Sequence, residues 1–480
     1  MFLIIKMAVN MKNLIILSIF ICSIISFSES MIVVNNGGTR VLVVDSGTDF
    51  AHPEFNGKIL YELAELNGVA GKDDDNNGYI DDLAGWNFVE NTNVQVDTTI
   101  LPPFYDEVLR YNDVLEKYGR KGEITQEDYN FAIEFQKDLT KRMWMGFIGG
   151  YAHGTHVAGI ISKNNNHTSF KAIKFIGTGT PPSTSSLREM IIARNGFLKR
   201  QTRQKTYGEI EAIYKQLGDS AIASMQPITD YVAFCNPRVI NCSYGDNRDA
   251  IFPNVKKHML DVFGYTNPDT DEVFKVMDIY AKNVSIRRTD KMYEKATNAL
   301  LLIAAGNSAE DVDKYISSPI DMSTQNKIVI AATFDDKLIA DFSCYGIKKV
   351  DIAAPGVLIK SSYPSGKYGL MSGTSQATPY VSKIAAKLFH IRPALTPVEV
   401  KKILMGTADK KDWLKEKVVC GGVVNPLRAE AAARLVNKGV DIDKAIAQVL
   451  INIGNAKIPE RKIDLNDPLM QNFYRSTIVY

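Results

Sequence analysis

Thr39-Arg40-Val41-Leu42-Val43-Val44-Asp45-Ser46 is the stretch whose reading decides the fold. Beyond Arg40 its apolar residues run on without the polar alternation of a half-exposed strand, and β-branched valines dominate. A run of this kind belongs to a strand buried on both faces, as in a parallel sheet covered by helices on each side. It ends in an acid followed by Gly47. In open α/β sheets chemistry gathers at the carboxyl ends of strands, so Asp45 is a candidate functional group as well as a candidate turn residue.

The same pattern returns downstream. Val239-Ile240-Asn241-Cys242-Ser243 reads as a buried strand leading into Tyr244-Gly245, and Leu301-Leu302-Ile303-Ala304-Ala305 as another leading into Gly306-Asn307-Ser308. Further strands are expected within 168–180, 327–333 and 349–354, alternating with helical stretches. The expected architecture is α/β, in three layers (α/β/α), with a mostly parallel central sheet. Asn307 is either a turn residue or an amide placed to donate a hydrogen bond.

Two helix starts carry chemistry-bearing residues. In Met371-Ser372-Gly373-Thr374-Ser375-Gln376-Ala377-Thr378-Pro379 a Gly-rich turn becomes a helix, since Val381, Ile384, Ala385, Leu388 and Phe389 recur at helical spacing. Ser375 then exposes its hydroxyl over the positive end of a helix dipole, which suits a nucleophile whose attack creates a negative oxygen. An N-cap serine would look the same in isolation. Tyr151-Ala152-His153-Gly154-Thr155-His156 is expected to begin a helix, and it holds two of the chain's 6 histidines. A helical zinc pair has its histidines four apart with Glu after the first, and neither condition is met.

Composition bounds the rest. At 480 residues the chain can hold one large domain or a few ordinary ones, and a formal net charge of +2 gives no reason to expect nucleic acid or a strongly charged partner. Met11-Lys12-Asn13 precedes an uncharged run from Leu14 to Phe27, with small Ser26 and Ser28 spaced for cleavage. That run is shorter than the ~20 residues of a membrane span. Residues 1–30 are therefore expected to be a signal peptide, giving a secreted or extracytoplasmic protein with no stable span after cleavage. Beyond it only Cys235, Cys242, Cys344 and Cys420 remain, too few for a disulfide scaffold. Cys235 and Cys242 could pair, but free buried thiols are the favoured reading. Asp73, Asp75 and Asn77 alternate as oxygen ligands ahead of Gly78, with Asp81 at the ninth position, like the front of a calcium loop. Ala84 replaces the bidentate Glu of an EF-hand, so the expectation is a looser structural Ca2+ loop or a plain polar turn.

Taken together, four segments resemble one family. Val43-Val44-Asp45-Ser46-Gly47 with His52-Pro53 downstream, His153-Gly154-Thr155-His156-Val157-Ala158-Gly159, Ala304-Ala305-Gly306-Asn307, and Gly373-Thr374-Ser375 followed by Ala377-Thr378-Pro379 are similar to the hallmarks of the subtilisin-like serine peptidases, the subtilases. Their order Asp, His, Ser is that of subtilisin. Asp341-Phe342-Ser343-Cys344-Tyr345-Gly346, Ala353-Ala354-Pro355-Gly356 and the acidic loop into Gly85-Trp86-Asn87-Phe88 also look like the family. The likeness spans about 39–430 within an expected peptidase domain at 31–430, with insertions near 91–148, 181–228 and 249–290 and a partly helical tail at 431–480.

The resemblance implies a subtilisin-like fold and a serine endopeptidase acting on polypeptides, taken to be a monomer. Ser375 would be the nucleophile, His153 the general base and Asp45 the acid that orients it. Asn307 and the Ser375 N–H would form the oxyanion hole, Ser243-Tyr244-Gly245 the substrate-pairing strand, and Ala304-Ala305-Gly306 a wall of the first specificity pocket. His156 is read as structural. Family members usually carry a pro-domain between signal and protease, whereas here residues 31–44 alone separate the expected cleavage region from Asp45. Gln376 stands where the family commonly has Met, a change expected to be tolerated, and the insertions are expected to fence the cleft. Two other readings stand beside this one. A catalytically silent subtilase scaffold would bind a partner through its insertions. An esterase of the α/β-hydrolase type would need Gly-x-Ser-x-Gly and the order Ser, Asp, His, which the chain lacks.

Overall fold

The strand Thr39–Asp45 (β1) is buried on both faces, as its uninterrupted apolar run requires: Val41 and Val43 enter one apolar cluster, Leu42 and Val44 another. In the computed structural model, residues 37–121, 124–179, 181, 203–246, 248–456 and 475–478 are described. The expected signal peptide and residues 182–202 of the second insertion lie outside them.

The remaining strands follow in chain order: Gly85–Asn87 (β2), Thr168–Lys174 (β3), Val239–Cys242 (β4), Leu300–Ala304 (β5), Lys327–Phe334 (β6), Leu338–Ile339 (β7), Ile352–Pro355 (β8), Ile359–Tyr363 (β9), Lys367–Met371 (β10), Asp409–Lys410 (β11) and Gly422–Val423 (β12). The main sheet runs β11-β12-β8-β6-β5-β4-β1-β3-β2, with β7 pairing off β6 and β9–β10 forming a separate hairpin. From β12 to β2 every pair along that path is parallel; within this sheet, among the described residues, only the β11–β12 and β6–β7 pairs are antiparallel. The chain adds β3 on one side of β1 and β4 on the other, so its winding reverses there. Register sets Val44 beside Cys242 and Cys242 beside Ile303, which brings Asp45, Ser243 and Ala304 level at the carboxyl ends. This is the place where such sheets bind ligands.

Helices cover both faces, completing the three-layer α/β/α arrangement. Helices Leu139–Ser162 and Thr374–Ile391 supply Ala152, Val157, Val381 and Ala385 to the cluster around Val41 and Val43. Helices Gln226–Cys235 and Ile286–Tyr293 supply Tyr231, Val232 and Met292 to the other. Each buried aliphatic contributes about 1.5–3 kcal/mol, so the sheet holds its helices through many such contacts. Helix Pro426–Asn437 runs across position 430, and its Ala429 and Ala433 join the first cluster.

The first insertion is helical, with Tyr105–Lys121 and Gln126–Lys137 joined by Tyr111 stacked on Phe135 at 4.6 Å. It leads straight into Leu139–Ser162, so the helix that carries His153 starts a dozen residues earlier than Tyr151. Glycines at 146, 149 and 150 argue against that extension on local propensity. Packing overrides them, and Gly150 is needed close to the Thr178 carbonyl, 3.1 Å from where a Cβ would stand. Helices Tyr207–Ser224, Arg248–Asp261 and Thr270–Tyr280 pack around their own cluster of Tyr214, Met259, Phe263 and Val276. Cys235, Cys242, Cys344 and Cys420 are free thiols, three of them buried. Among the described residues no helix is long and apolar enough to cross a membrane.

Candidate active site

Asp45 is the last residue of β1 and is 1% exposed. Its Oδ1 accepts from the Ser46 N–H and faces His153 Nδ1, each at 2.7 Å. With Nδ1 donating to this carboxylate, Nε2 is the nitrogen left to accept a proton. Asp45 Oδ2 has no hydrogen-bond partner among the described residues. Burial pulls the His153 pKa down, but the Asp45 charge and hydrogen bond outweigh it, and the net shift is upward.

The close approach behind that contact explains the sequence around His153. Ser46 Oγ donates to the Gly150 carbonyl at 2.7 Å and accepts from the Gly154 N–H at 3.2 Å, while the Asp49 N–H donates to Thr155 Oγ1 at 3.0 Å. A Cβ on Gly154 would stand 2.2 Å from the Gly47 carbonyl oxygen, so only glycine lets the helix lie against the turn after β1. His156, fully buried, bonds the Ile359 carbonyl through Nε2 at 2.9 Å. Burial, then the neighbouring His153, push its pKa down to about 3, so it stays neutral and packs rather than titrates.

Ser375 is the second residue of helix Thr374–Ile391, whose cap is Gly373. Its N–H lies in the first turn, where no intrahelical acceptor exists. The Ser375 hydroxyl donates to the Ser243 carbonyl at 3.0 Å, and Ser243 Oγ donates back to the Ser375 carbonyl at 2.9 Å. The Ser375 hydroxyl is thereby satisfied by the backbone acceptor beside it, as buried polar groups are.

Asn307 follows Gly306, whose φ of +104° is a conformation that favours glycine. Its Oδ1 accepts from the Thr374 N–H at 2.9 Å and Oγ1 at 3.0 Å. Fixing the oxygen there turns the amide nitrogen toward Gly373, and Nδ2 lies 3.2 Å from where a Cβ on that glycine would be. Asn307 and Ser375 thus sit on either side of one turn.

One cavity of about 580 Å³ is lined by Asp45, His153, Asn307 and Ser375 together with Ser243, Tyr244, Gly245, Ala304, Ala305 and Gly306. All ten residues come together although up to 330 positions separate them. Val108, Asn112 and Met145, from the expected first insertion, also line this cleft. Tyr315, Ser317 and Ile320 also line it and carried no sequence signal. Their loop is braced by the third insertion, where Asp278 Oδ1 accepts from Arg248 at 2.8 Å and from the Ile316 N–H at 3.3 Å. Asp246 is half-buried and accepts from the Ser318 N–H at 3.1 Å.

Gln376, beside the nucleophile candidate, is fully buried; its Oε1 has no partner among the described residues, and its Nε2 reaches only Met371 Sδ at 3.7 Å. Gln376→Met is expected to raise stability by about 1–2 kcal/mol by removing an unsatisfied buried carbonyl. A thermal melt checks this, and an unchanged or lower Tm would contradict it.

The acidic loop gathers differently from its sequence spacing. Carboxylate oxygens of Glu65, Asp75 and Asp82 lie within 4.8 Å of one another, an arrangement that could hold a divalent ion. Burial, followed by neighbouring acids for Asp75, raises the pKa of Asp75 and of Asp82 to about 6. Asn77 Nδ2 donates to both carboxylates. Asp73 spends its oxygens on the Asn77 and Gly78 N–H groups, and Asp81 on that of Gly71. Glu65 was missed because it enters from a one-turn helix well upstream of the loop.

The fold and site thus present a parallel α/β/α domain with a paired Asp and His at the head of a cleft and a serine at a helix start within it. The model described as the subtilase family matches residues 36–423, and the chain belongs to that family. It is similar to "Subtilisin-like protease 1" of Plasmodium berghei (strain Anka), with 26% identity over 416 residues covering 84% of this chain and 51% of that protein. It is also similar to "Subtilisin-like protease 1" of Plasmodium vivax, with 25% identity covering 82% and 47%. The chain thus spans about half the length of these relatives. Among solved structures, a mutant of the protease domain of PatA matches with 18% identity and a TM-score of 0.42, covering 84% of this chain and 96% of that one.

Proposed function

We propose that the protein is a serine endopeptidase in which Ser375 attacks the scissile carbonyl and His153 takes its proton. The observation that carries this is the 2.7 Å bond from His153 Nδ1 to buried Asp45, in a cleft that also holds Ser375. For attack, the Ser375 hydroxyl leaves the Ser243 carbonyl and turns to His153 Nε2. As the Oγ–C bond forms, the proton passes to the imidazole, whose positive charge Asp45 stabilises. The carbonyl oxygen becomes negative and is met by Asn307 Nδ2 and the Ser375 N–H. The imidazolium then protonates the leaving amine, and water, deprotonated by His153, releases the acyl group. Ser243-Tyr244-Gly245 would pair with the substrate backbone as an added strand, against the wall of Ala304-Ala305-Gly306.

Hydrolysis of an unfolded protein by the wild type, followed through the Asn307 variant, tests the reading. Asn307→Ala is expected to lower kcat by about two to three orders of magnitude with little change in KM, because the amide acts where charge develops. An equal loss in a remote surface variant would remove Asn307 from this role.

We further propose that the cluster of Glu65, Asp75 and Asp82 holds Ca2+. Three crowded carboxylates are hard donors whose mutual repulsion a divalent cation would relieve. The ion would be structural, tying the loop to the sheet edge at β2. A chelator is expected to lower Tm, and calcium at about a hundredfold excess over its Kd to restore about 2.7 kcal/mol. An unchanged melt would refute the site. Secretion is part of the same proposal, supported by the pattern of residues 1–30; N-terminal sequencing of exported protein tests it.

A further inference from the structure

We propose that the segment Arg475–Ile478 is a ligand for its own cleft, docked in an arm of the cavity that a polypeptide substrate must also enter. The inference rests on the endopeptidase reading and extends it to how the cleft is controlled. The Ser372 N–H, three residues before Ser375, donates to the Thr477 carbonyl at 2.8 Å, and the hydroxyls of Ser372 and Thr477 meet at 2.7 Å. Ser372 and Ile478 pair as a parallel β-bridge. The segment is a single turn, its Ile478 N–H donating to the Arg475 carbonyl at 3.3 Å, and it meets the buried Ser372 through that one bridge. Ser476, Thr477 and Ile478 line the same cavity as Asp45, His153 and Ser375.

The receptor for this segment is built, not incidental. Ser476 Oγ meets Tyr111 Oη at 3.1 Å, and that same hydroxyl accepts from Gln136 Nε2 at 2.8 Å, which orients it. Tyr111 is fully buried and belongs to the first insertion, so the insertion supplies one wall of the arm. Ser372, also fully buried, is held by the Leu358 N–H at 2.9 Å, and Thr477 is 5% exposed. At the outer end Arg475 faces Asp341 at 3.3 Å, with both side chains about half exposed or more. An exposed pair of this kind adds little. A short segment with a few buried hydrogen bonds and a weak outer anchor is displaceable, which is what a competing substrate requires. The Ser375 hydroxyl bonds Ser243, so the segment lies beside the nucleophile while the Asp45–His153 pair stays assembled.

The test compares the full chain with one lacking residues 475–480, on an internally quenched peptide substrate. If the segment is docked about nine-tenths of the time, its removal lowers KM about tenfold with kcat unchanged. The synthetic peptide Arg-Ser-Thr-Ile-Val-Tyr should inhibit the shortened chain competitively and the full chain far less. Should the shortened chain fold poorly, Ser476→Ala with Arg475→Ala in the full chain decides: a lowered KM supports the proposal, and an unchanged one overturns it. Unchanged KM on removal, or inhibition that substrate does not relieve, also overturns it. Anisotropy of the labelled peptide on the shortened Ser375→Ala chain measures docking without hydrolysis. Binding there with no hydrolysis by wild type would indict the endopeptidase reading alone, whereas absent binding with active wild type would indict this one.

Discussion

Ser375→Ala is expected to lower kcat by about four to six orders of magnitude, because it removes the covalent route while leaving the cleft intact. What survives is the contribution of the oxyanion donors and of substrate binding, which need no nucleophile. The change deletes one side-chain hydrogen bond, to the Ser243 carbonyl, from a position already held by its helix. Folding should therefore persist, and Tm should shift by no more than about 1 kcal/mol would cause. Steady-state kinetics on a purified, folded variant provides the check. A residual activity within tenfold of wild type would place the nucleophile elsewhere.

Asp45→Asn is expected to cost about four orders of magnitude in kcat near neutral pH. The amide preserves size but offers a donor to His153 Nδ1, which favours the tautomer whose proton sits on Nε2 and cannot act as a base toward Ser375. The pH profile adds a readout that misfolding would not produce. His153 must be neutral to take a proton, and its pKa is raised above the ordinary 6.5 because Asp45 more than offsets burial. Wild-type kcat/KM should therefore fall, as pH is lowered, through a midpoint above 6.5. In Asp45→Asn the raising contributions vanish and burial remains, so the acid limb should move below 6.5. An acid limb that stays in place would mean that Asp45 does not govern His153.

The sequence carried the central sheet because a strand buried on two sides has to be apolar throughout, and the run at Val41–Val44 is. It carried the site because Asp45, Ser243, Ala304 and Ser375 lie where strands end and helices begin, and small residues there keep the backbone close to the cleft. Gly154 is legible in this way, since its missing Cβ is what lets His153 reach Asp45. What was not legible depends on contacts between distant segments. The helix bearing His153 begins at Leu139 because packing tolerates glycines that local propensity would refuse. Glu65 joins Asp75 and Asp82 through the fold of the loop, not through spacing. Tyr315 and Ile320 enter the cavity on a loop braced from the third insertion, and Thr477 reaches Ser372 across 105 positions with no motif to announce it.

The most direct measurement is covalent labelling of the folded protein with a fluorophosphonate, with the modified residue located by mass spectrometry. A nucleophilic serine assembled with its base reacts, and a serine that merely caps a helix does not. One adduct is expected, on Ser375, abolished by Ser375→Ala and by prior heat denaturation. A folded, correctly processed sample that takes no label, or takes it on another serine, would contradict the account and leave a subtilase scaffold that binds without cleaving.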